Sequence, residues 1–428
     1  MSDSAPRRSL AFQTLRHRDF RLLWTADCIS ILGTQIQRTA IVWQVFVLTG
    51  SALQLGLLGL FQFLPILFFG LFGGAVADRQ DRRHILIGSH IALMITSALL
   101  GLMTYTGHIS MPVIYGSIVI ASSLNSFAGP ARQALIPSLV PRTELAGAAT
   151  VANLAMQTAA IGGPPLAGFL IGWHGLTICY LVNAVSFIAV IVAAWMIRVR
   201  PEPVTMPQRS IAAIAEGFRF LAATPILLSV MLLDFVATFF GSFTTQLPIV
   251  AETLLGSGAE GLGLLQSAPA VGAVAGSLAL SVLPIPRRAG LGVILAVIGY
   301  GICVLGFSMS ASLPLALLFL TGTGATDAAS MALRQTIRNL VTPDAYRGRI
   351  AAAHSTFAMG GPQLGELWAG LMATFTGVPV AIGSGAVATI ACCLIMAKAM
   401  PRLRTYRTDD APVEVVAAVP PAPASTAD

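Results

Sequence analysis

A run of roughly 20 apolar residues is the length that crosses a bilayer as a helix, and this 428-residue chain contains about twelve such runs. When they are threaded alternately through a membrane, all 25 Lys and Arg residues except Arg38 fall on one side. The loops of the other side carry none. This is the positive-inside bias, and it predicts that both termini lie in the cytoplasm. Within the bilayer core each backbone N–H must find its acceptor in the protein, so the spans must be helices or a closed barrel. Runs of this length fit helices. Only 10% of the chain is charged and mean hydropathy is +0.80, whereas a soluble domain carries about 25% charged residues. The chain is therefore expected to be an all-α polytopic membrane protein. Its net charge of +7 does not call for a nucleic-acid partner, because the Arg residues serve as anchors near anionic headgroups.

The spans fall near 22–48, 53–77, 84–105, 112–131, 145–170 and 176–197, then near 225–255, 260–283, 289–308, 313–333, 347–373 and 379–399. The expected organisation is a cytoplasmic N-terminal tail at 1–19, a six-helix bundle at 20–197, a cytoplasmic connection at 198–224 with an amphipathic stretch at 211–221, a second six-helix bundle at 225–400 and a tail at 401–428. The tail from 408 is rich in Pro, Ala and Val, a composition expected to stay disordered.

The two bundles repeat. Gln62 and Pro65 of the second span match Gln266 and Pro269 of the eighth. Arg132-Gln133 with Pro141 matches Arg334-Gln335 with Pro343. Gly163-Pro164 matches Gly361-Pro362, and Arg82-Arg83 matches Arg287-Arg288. Six is an even number of spans, so the bundles must be parallel repeats about an axis normal to the membrane, the relation found between the halves of major facilitator transporters.

The loop after the second span carries the resemblance further. Gly74-Ala75-Val76-Ala77-Asp78-Arg79-Gln80-Asp81-Arg82-Arg83 resembles the G-x-x-x-D-R-x-x-R-R loop of the major facilitator superfamily, in the matching loop. Phe20-Arg21-Leu22-Leu23-Trp24, Gly217-Phe218-Arg219-Phe220-Leu221, and Thr342-Pro343-Asp344 through Arg347-Gly348-Arg349 resemble its enterobactin-exporter and macrolide-efflux branch. The resemblance implies twelve transmembrane helices and a gate on the cytoplasmic side. Gly74, Asp78, Arg79, Arg82 and Arg83 would form the gate, with Asp78 facing Arg347 and Arg349 of the other half. The charges also set topology, and that reading needs no latch. Gly163, Pro164 and Gly168 of the fifth span resemble the antiporter motif G-P-x-x-G-G, with Ala167 in place of one Gly. Close helix contact explains the same residues.

Charges inside a membrane are costly and are functional candidates by default. Asp27 and Arg38 share the first span. Eleven residues of helix separate them by roughly 16 Å, too far to pair. Asp234 lies at nearly the depth of Asp27 in the repeated span, so the two acids could belong to one cavity. Glu366 is deeper, in the eleventh span. The charge of a buried carboxylate follows its access to water and to nearby cations such as Arg38, which is the property a proton-coupling group needs. Asp27, Asp234 and Glu366 are the proton-relay candidates. Arg38 would orient an anionic substrate group or tune Glu366. Asp327 is placed to pair with Arg334 or Arg338. Asn183 suits either a helix–helix bond or the cavity wall.

The sequence holds no nucleotide-binding P-loop, no nucleophile elbow and no metal-ligand spacing among its His and Cys residues. It is expected to be neither an enzyme nor a cofactor protein. The expected function is secondary active export of a small amphipathic organic molecule, siderophore or drug-like, by proton antiport across the inner membrane. The partners are then the substrate, protons and lipid, and the transporter is monomeric. Facilitated uptake without proton coupling and a non-transporting membrane sensor on the same fold are the alternatives.

Overall fold

The structure, a computed structural model, describes residues 13–198, 219–282, 288–343 and 346–407, with side chains described at all of these except 71–79, 347–349, 351–353, 355–357 and 359. Twelve long helices fill it: α1 (Arg18–Thr49), α2 (Ala52–Arg79), α3 (Arg82–Tyr105), α4 (Met111–Leu139), α5 (Leu145–His174), α6 (Leu176–Met196), α7 (Pro225–Phe240), α8 (Gly258–Val282), α9 (Ala289–Ser308), α10 (Leu313–Val341), α11 (Arg347–Thr376) and α12 (Val378–Ala399). Ten of the spans are long and apolar enough to cross a membrane by composition alone. The other two, α1 and α11, are the helices that hold Asp27, Arg38 and Glu366.

The turns explain much of the threading. Those after α1, α3, α5, α7 and α11 each carry a glycine at positive φ: Gly50, Gly107, Gly175, Gly256 with Gly258, and Gly377. At Gly50 the left-handed residue lets its N–H return to Phe46 O at 2.7 Å and closes the helix end. All these tight turns lie on the Arg-free side. On the opposite side charged groups close the ends. Asp81 accepts from Arg83 N at 2.9 Å and caps α3.

Helix contacts repeat with a shift of six. In the first half α1 packs on α5 and α6, α3 on α4 and α6, and α2 on α4. In the second, α7 packs on α11 and α12, α9 on α10 and α12, and α8 on α10. The halves meet through α2 against α11 and α5 against α8, which exchange under the same shift. The expected parallel repeat is thus the architecture of the fold.

The apolar cores show where the halves are joined. Near the basic side, one core gathers Phe20, Leu23, Leu86 and Leu135 of the first half. Another gathers Leu227, Val293, Ile337 and Leu403 of the second. On the Arg-free side, Ala52 enters the second-half core of Phe243, Leu247, Leu262 and Phe307, with Trp43 packed against it. Glycines permit the approach. A Cβ on Gly59 of α2 would stand 2.9 Å from Glu366 Cβ, and one on Gly56 would stand 2.9 Å from Gly370 Cα. Gly168 and Gly263 do the same between α5 and α8, against Ala259 and Pro165.

Two features differ from the linear reading. The fourth and tenth helices run on to Leu139 and Val341, with Arg132 and Arg334 turned toward carboxylates and Arg338 toward the amide of Gln335. The seventh span is broken after Phe240. It resumes as a 3-10 turn at Thr244–Gln246, then Leu247–Ile249 and a π turn at Val250–Leu254. Pro248 offers no N–H to the preceding turn. The connection 199–218 and the tail from 408, with the expected disorder there, lie outside the described residues, as do Arg287 and most of the 211–221 stretch.

Candidate substrate cavity and its charge pairs

Two adjoining cavities lie on the axis of the molecule. One, of about 370 Å³, runs between the halves and is lined by Arg38, Gln62, Asn125, Gln266, Gln363 and Glu366, with Ile41, Val42, Leu58 and Ile118 as its apolar wall. The other, of about 440 Å³, extends toward the basic side past Asp27, His90, Arg132 and Asn183. Thr34, Gln35, Gln37, Arg38, Gln62 and Asn125 line both. The sequence reaches this arrangement by placing polar residues on the inner stripe of otherwise apolar helices, where lipid does not touch them.

The acids inside the membrane have fixed partners. Asp27 Oδ2 of α1 lies 3.7 Å from Arg132 Nη1 of α4. Asp234 Oδ1 of α7 lies 2.7 Å from Arg334 Nη1 of α10. These are equivalent positions of the repeat, so each half carries one copy of the same pair. The second copy is richer. Asp327 stands 3.6 Å from Arg334 Nη2, and His354 Nε2 of α11 stands 3.6 Å from Asp234 Oδ2. It is also more buried, with Asp234 at 7% exposure and Arg334 at 8%. Asp27 and Asp234 do not share a cavity. Asp234 lines a separate pocket of about 230 Å³ with Arg334, Arg338 and His354.

Glu366 has a different surrounding. Its Oε1 accepts from Thr244 N at 3.0 Å, and its Oε2 accepts from Thr245 N at 3.0 Å and Thr245 Oγ1 at 2.6 Å. Two of these donors are amides freed where the seventh span breaks, and the third is the Thr245 hydroxyl. The carbonyl of Gly241, on the other side of the break, accepts from Tyr300 Oη at 2.8 Å. A broken helix inside a membrane persists only where such groups find partners. Gln246, at the end of the turn, donates to Ala52 O of the other half at 3.1 Å. A second bond crosses the halves nearby, from Thr39 Oγ1 to Gln266 Oε1 at 2.6 Å.

Arg38 shares the cavity with Glu366 without an ion pair between them. Among the described residues it makes no ion pair and no hydrogen bond. Its side chain is exposed, and the space it is exposed to is the cavity. Asn183 donates to Gln37 Oε1 at 2.8 Å, which ties α6 to α1. It both joins helices and lines the wall.

Of the expected gate residues, Gly74 and the side chains of Asp78, Arg79, Arg347 and Arg349 lie outside the description given above. Arg82 and Arg83 are described, and both reach into their own half. Arg82 Nη1 donates to Ala134 O at 3.1 Å. Arg83 donates to Ala194 O at 3.0 Å and to Trp195 O at 2.9 Å. Arg83 closes the carbonyl end of α6, and Arg82 binds α4 a little before its end. In the antiporter-like stretch α5 stays continuous through Pro164 and Pro165. Gly163 faces Gln35 of α1, and Gly168 faces α8. Sequence reasoning paired Asp327 with Arg334 or Arg338, and Arg334 is its partner at 3.6 Å; it did not name Arg132 as the partner of Asp27, Arg334 and His354 as partners of Asp234, or Thr244 and Thr245 as partners of Glu366. The repeat of Asp27 with Arg132 as Asp234 with Arg334 was a readable signal for the two Arg pairs. Nothing local marks Thr244 and Thr245.

The profile of the family described as transmembrane secretion effector, in the major facilitator superfamily, matches residues 9–421. The chain belongs to that family. Within it, the transporter is of the enterobactin-exporter-like branch. It is 27% identical over 371 residues to the enterobactin exporter EntS of Shigella boydii serotype 18, covering 86% of this chain and 89% of that protein. The EntS of Escherichia coli O81 matches equally, with the same identity and coverage. Among solved structures, a bacterial homolog of the human lysosomal transporter Spinster, in an inward-facing and occupied conformation, superposes with a TM-score of 0.66. The two are 15% identical, over 94% of this chain and 98% of that one. A D-xylose-proton symporter superposes with a TM-score of 0.68 at 16% identity, over 92% and 99%. At these identities the structures establish the fold alone. The protein is a multi-pass membrane transporter.

Proposed function

We propose that this transporter exports a small amphipathic organic molecule, siderophore-like in size and polarity, in exchange for protons. The observation that carries the reading is a polar cavity closed between two repeats on the Arg-free side, with Arg38 and Glu366 in its wall. The likeness to enterobactin exporters supports the direction and the substrate size. We read the Arg-rich side as cytoplasmic by the positive-inside bias, with both termini there, and the protein as an inner-membrane monomer.

In this mechanism the substrate enters from the basic side past Asp27 and Arg132. The halves then rock so that α2 and α11, and α5 and α8, part on the Arg-free side. Glu366 couples the movement to protons. As a carboxylate it holds the amides of Thr244 and Thr245 through charge-assisted bonds, and a proton arriving from outside weakens all three. That loosens the outer part of the seventh span, which Gln246 ties to α2. Asp27 and Asp234, each against its Arg, relay the proton to the cytoplasm. Asp78 and Arg79, with Arg347 and Arg349 opposite, serve the gate on the cytoplasmic side, on a framework held by Arg82 and Arg83.

The test is transport by purified protein in liposomes under an imposed pH gradient, with a lumenal pH dye and a panel of siderophores and amphipathic drugs. Substrate-dependent proton movement is expected. Glu366→Gln should abolish gradient-driven efflux while sparing substrate exchange. Flux without proton movement would favour the uniport reading, and unchanged pH-driven transport in Glu366→Gln would remove that residue from coupling.

A further inference from the structure

We infer that protons leave Glu366 for the basic side through a passage inside the second half, apart from the substrate cavity, with Asp327 and His354 as its carriers. This route belongs to the proton exchange proposed above and rests on it.

The twofold repeat shows where the halves differ. The ends of α4 and α10, 111 with 313 and 139 with 341, are 202 residues apart. The ends of α5 and α11, 145 with 347 and 174 with 376, keep the same offset. The contacts agree. A Cβ on Gly168 would meet Ala259 O, and one on Gly370 would meet Ala52 O, near the start of the facing helix in each case. In this register Gly163 falls on Gly365, one turn beyond the match of the Gly-Pro strings. Asp327 then stands where the first half has Asn125, His354 where it has Ala152, and Glu366 where it has Pro164. The ion pair is common to both halves, Asp27 with Arg132 and Asp234 with Arg334. At these three further positions only the second half carries a group that can take a proton.

Open space joins them. Asp234, Asp327, Arg334, Arg338 and His354 line the pocket of about 230 Å³. A space of about 90 Å³ continues from it, sharing Thr238, Asp327 and Arg334, and reaches Ser242, Tyr300 and Ser330. Neither shares a lining residue with the cavity past Asp27, and only Pro362 is shared with the cavity between the halves. Pro362 is one turn of α11 from Glu366. Tyr300 Oη donates to Gly241 O at 2.8 Å, at the break whose amides hold Glu366. Among the described residues α8 and α12 add no charged group to this lining.

The walls are suited to water. The side chain of Asp327 is 53% exposed, and the space it lines is this passage. Ser330 is 2% exposed, and its Oγ lies buried on the inner space with no hydrogen-bond partner. A buried hydroxyl is costly to leave unmet, and a water takes about 30 Å³. The inner space therefore holds a few waters, with Ser330, Asp327 and Tyr300 as partners. A proton on Glu366 passes through them to the Asp327 carboxylate, then to the imidazole of His354, and is released on the basic side. Glu366 returns as the carboxylate that accepts from Thr244 and Thr245. Asp234 and Asp327 balance Arg334 and Arg338, so the added proton is surplus charge and moves on. Substrate can fill the cavity between the halves meanwhile, because the two do not share an exit.

The experiment uses the full-length protein in nanodiscs. Hydroxyl-radical footprinting by X-ray radiolysis reads internal water through the side chains it oxidises. Tyr300, and Met231 on the outer pocket, should be oxidised, whereas Tyr180, buried away from these spaces, should not. An unoxidised Tyr300 overturns the inference, and this test needs no variant. Infrared difference spectra after a jump to higher pH then follow the carboxyl band of Glu366, identified by its loss in Glu366→Gln. Asp327→Asn and His354→Ala restore the first-half residues. Each should slow the deprotonation by about 100-fold, the lower end of what one positioned proton-transfer group contributes. Imidazole in the buffer should recover the rate in His354→Ala, an effect that a loss of packing would not show. Unchanged rates in both variants, or slowing that imidazole leaves in place, overturns the passage while proton exchange stands. A Glu366 band that never titrates removes its coupling role, and this route with it.

Discussion

Asp234 and Arg334 show how much the meaning of a charged residue depends on one partner. Their 2.7 Å contact is buried, whereas the equivalent pair of Asp27 and Arg132 is separated by 3.7 Å and is more exposed. Removing one member of a buried pair strands the other, at a cost of about 3–5 kcal/mol. A looser and better hydrated pair contributes roughly 1 kcal/mol or less. Arg334→Met should therefore lower the unfolding free energy by about 3–5 kcal/mol, and Arg132→Met by much less. Chemical unfolding of the two variants in detergent checks this, and equal losses would mean that the two pairs are energetically alike. Replacing Asp234 and Arg334 together with apolar residues should recover much of the loss, since two matched charges are removed at once. A functional share for Asp27 is then the easier one to isolate, because its variants should remain folded.

At the scale of the element, the seventh span and α11 form one device. The break after Phe240 exposes amides that a continuous helix would have used itself, and α11 supplies Glu366 to receive them. The same stretch of α11 lies on α2 at Gly59, so the carboxylate and the contact between halves share a single turn of helix. A side chain at position 59 has no room, since its Cβ alone would stand 2.9 Å from Glu366 Cβ. Gly59→Val should push α2 away from α11 on the Arg-free side. Spin labels on the outer ends of these helices should report a longer distance and a larger open fraction than in the wild type. An unchanged distance distribution would show that α5 against α8 alone holds the halves together. The equivalent replacement at Gly263 meets Pro165 of α5 at 2.8 Å and should act in the same direction.

For the whole molecule, the pattern of cores gives the polarity of the opening. The halves share apolar residues on the Arg-free side and keep separate cores toward the basic side, as a rocking pair does when it is shut at one end. Tight glycine turns sit at the shut end, and the long connection between the halves at the other. If the Arg-rich side is cytoplasmic, green fluorescent protein fused to either terminus should fluoresce, and alkaline phosphatase inserted at Gly107 or Gly377 should be active. Active phosphatase at a terminus would invert the orientation, and with it the direction of transport.

The sequence by itself determined the number of spans, their alternation across the membrane and the twofold repeat. Each is a property of composition along the chain: apolar length for the spans, the side on which Arg falls for topology, and recurring Gln-x-x-Pro, Arg-Gln and Gly-Pro strings for the repeat. It also singled out Asp27, Arg38, Asp234 and Glu366, because a charge amid apolar residues is conspicuous without any fold. What each of them faces was decided in three dimensions. Whether Asp27 meets Arg132, 105 residues further along the chain, depends on how α1 and α4 are rotated against each other, and both residues would read the same if they did not meet. The broken seventh span was invisible to hydropathy, since its halves are as apolar as an unbroken helix. With the break came the engagement of Glu366. Among the described residues Arg38 has no ion-pair partner, and Glu366 in the same cavity wall is held by Thr244 and Thr245, an arrangement set by packing between helices that are distant in the chain.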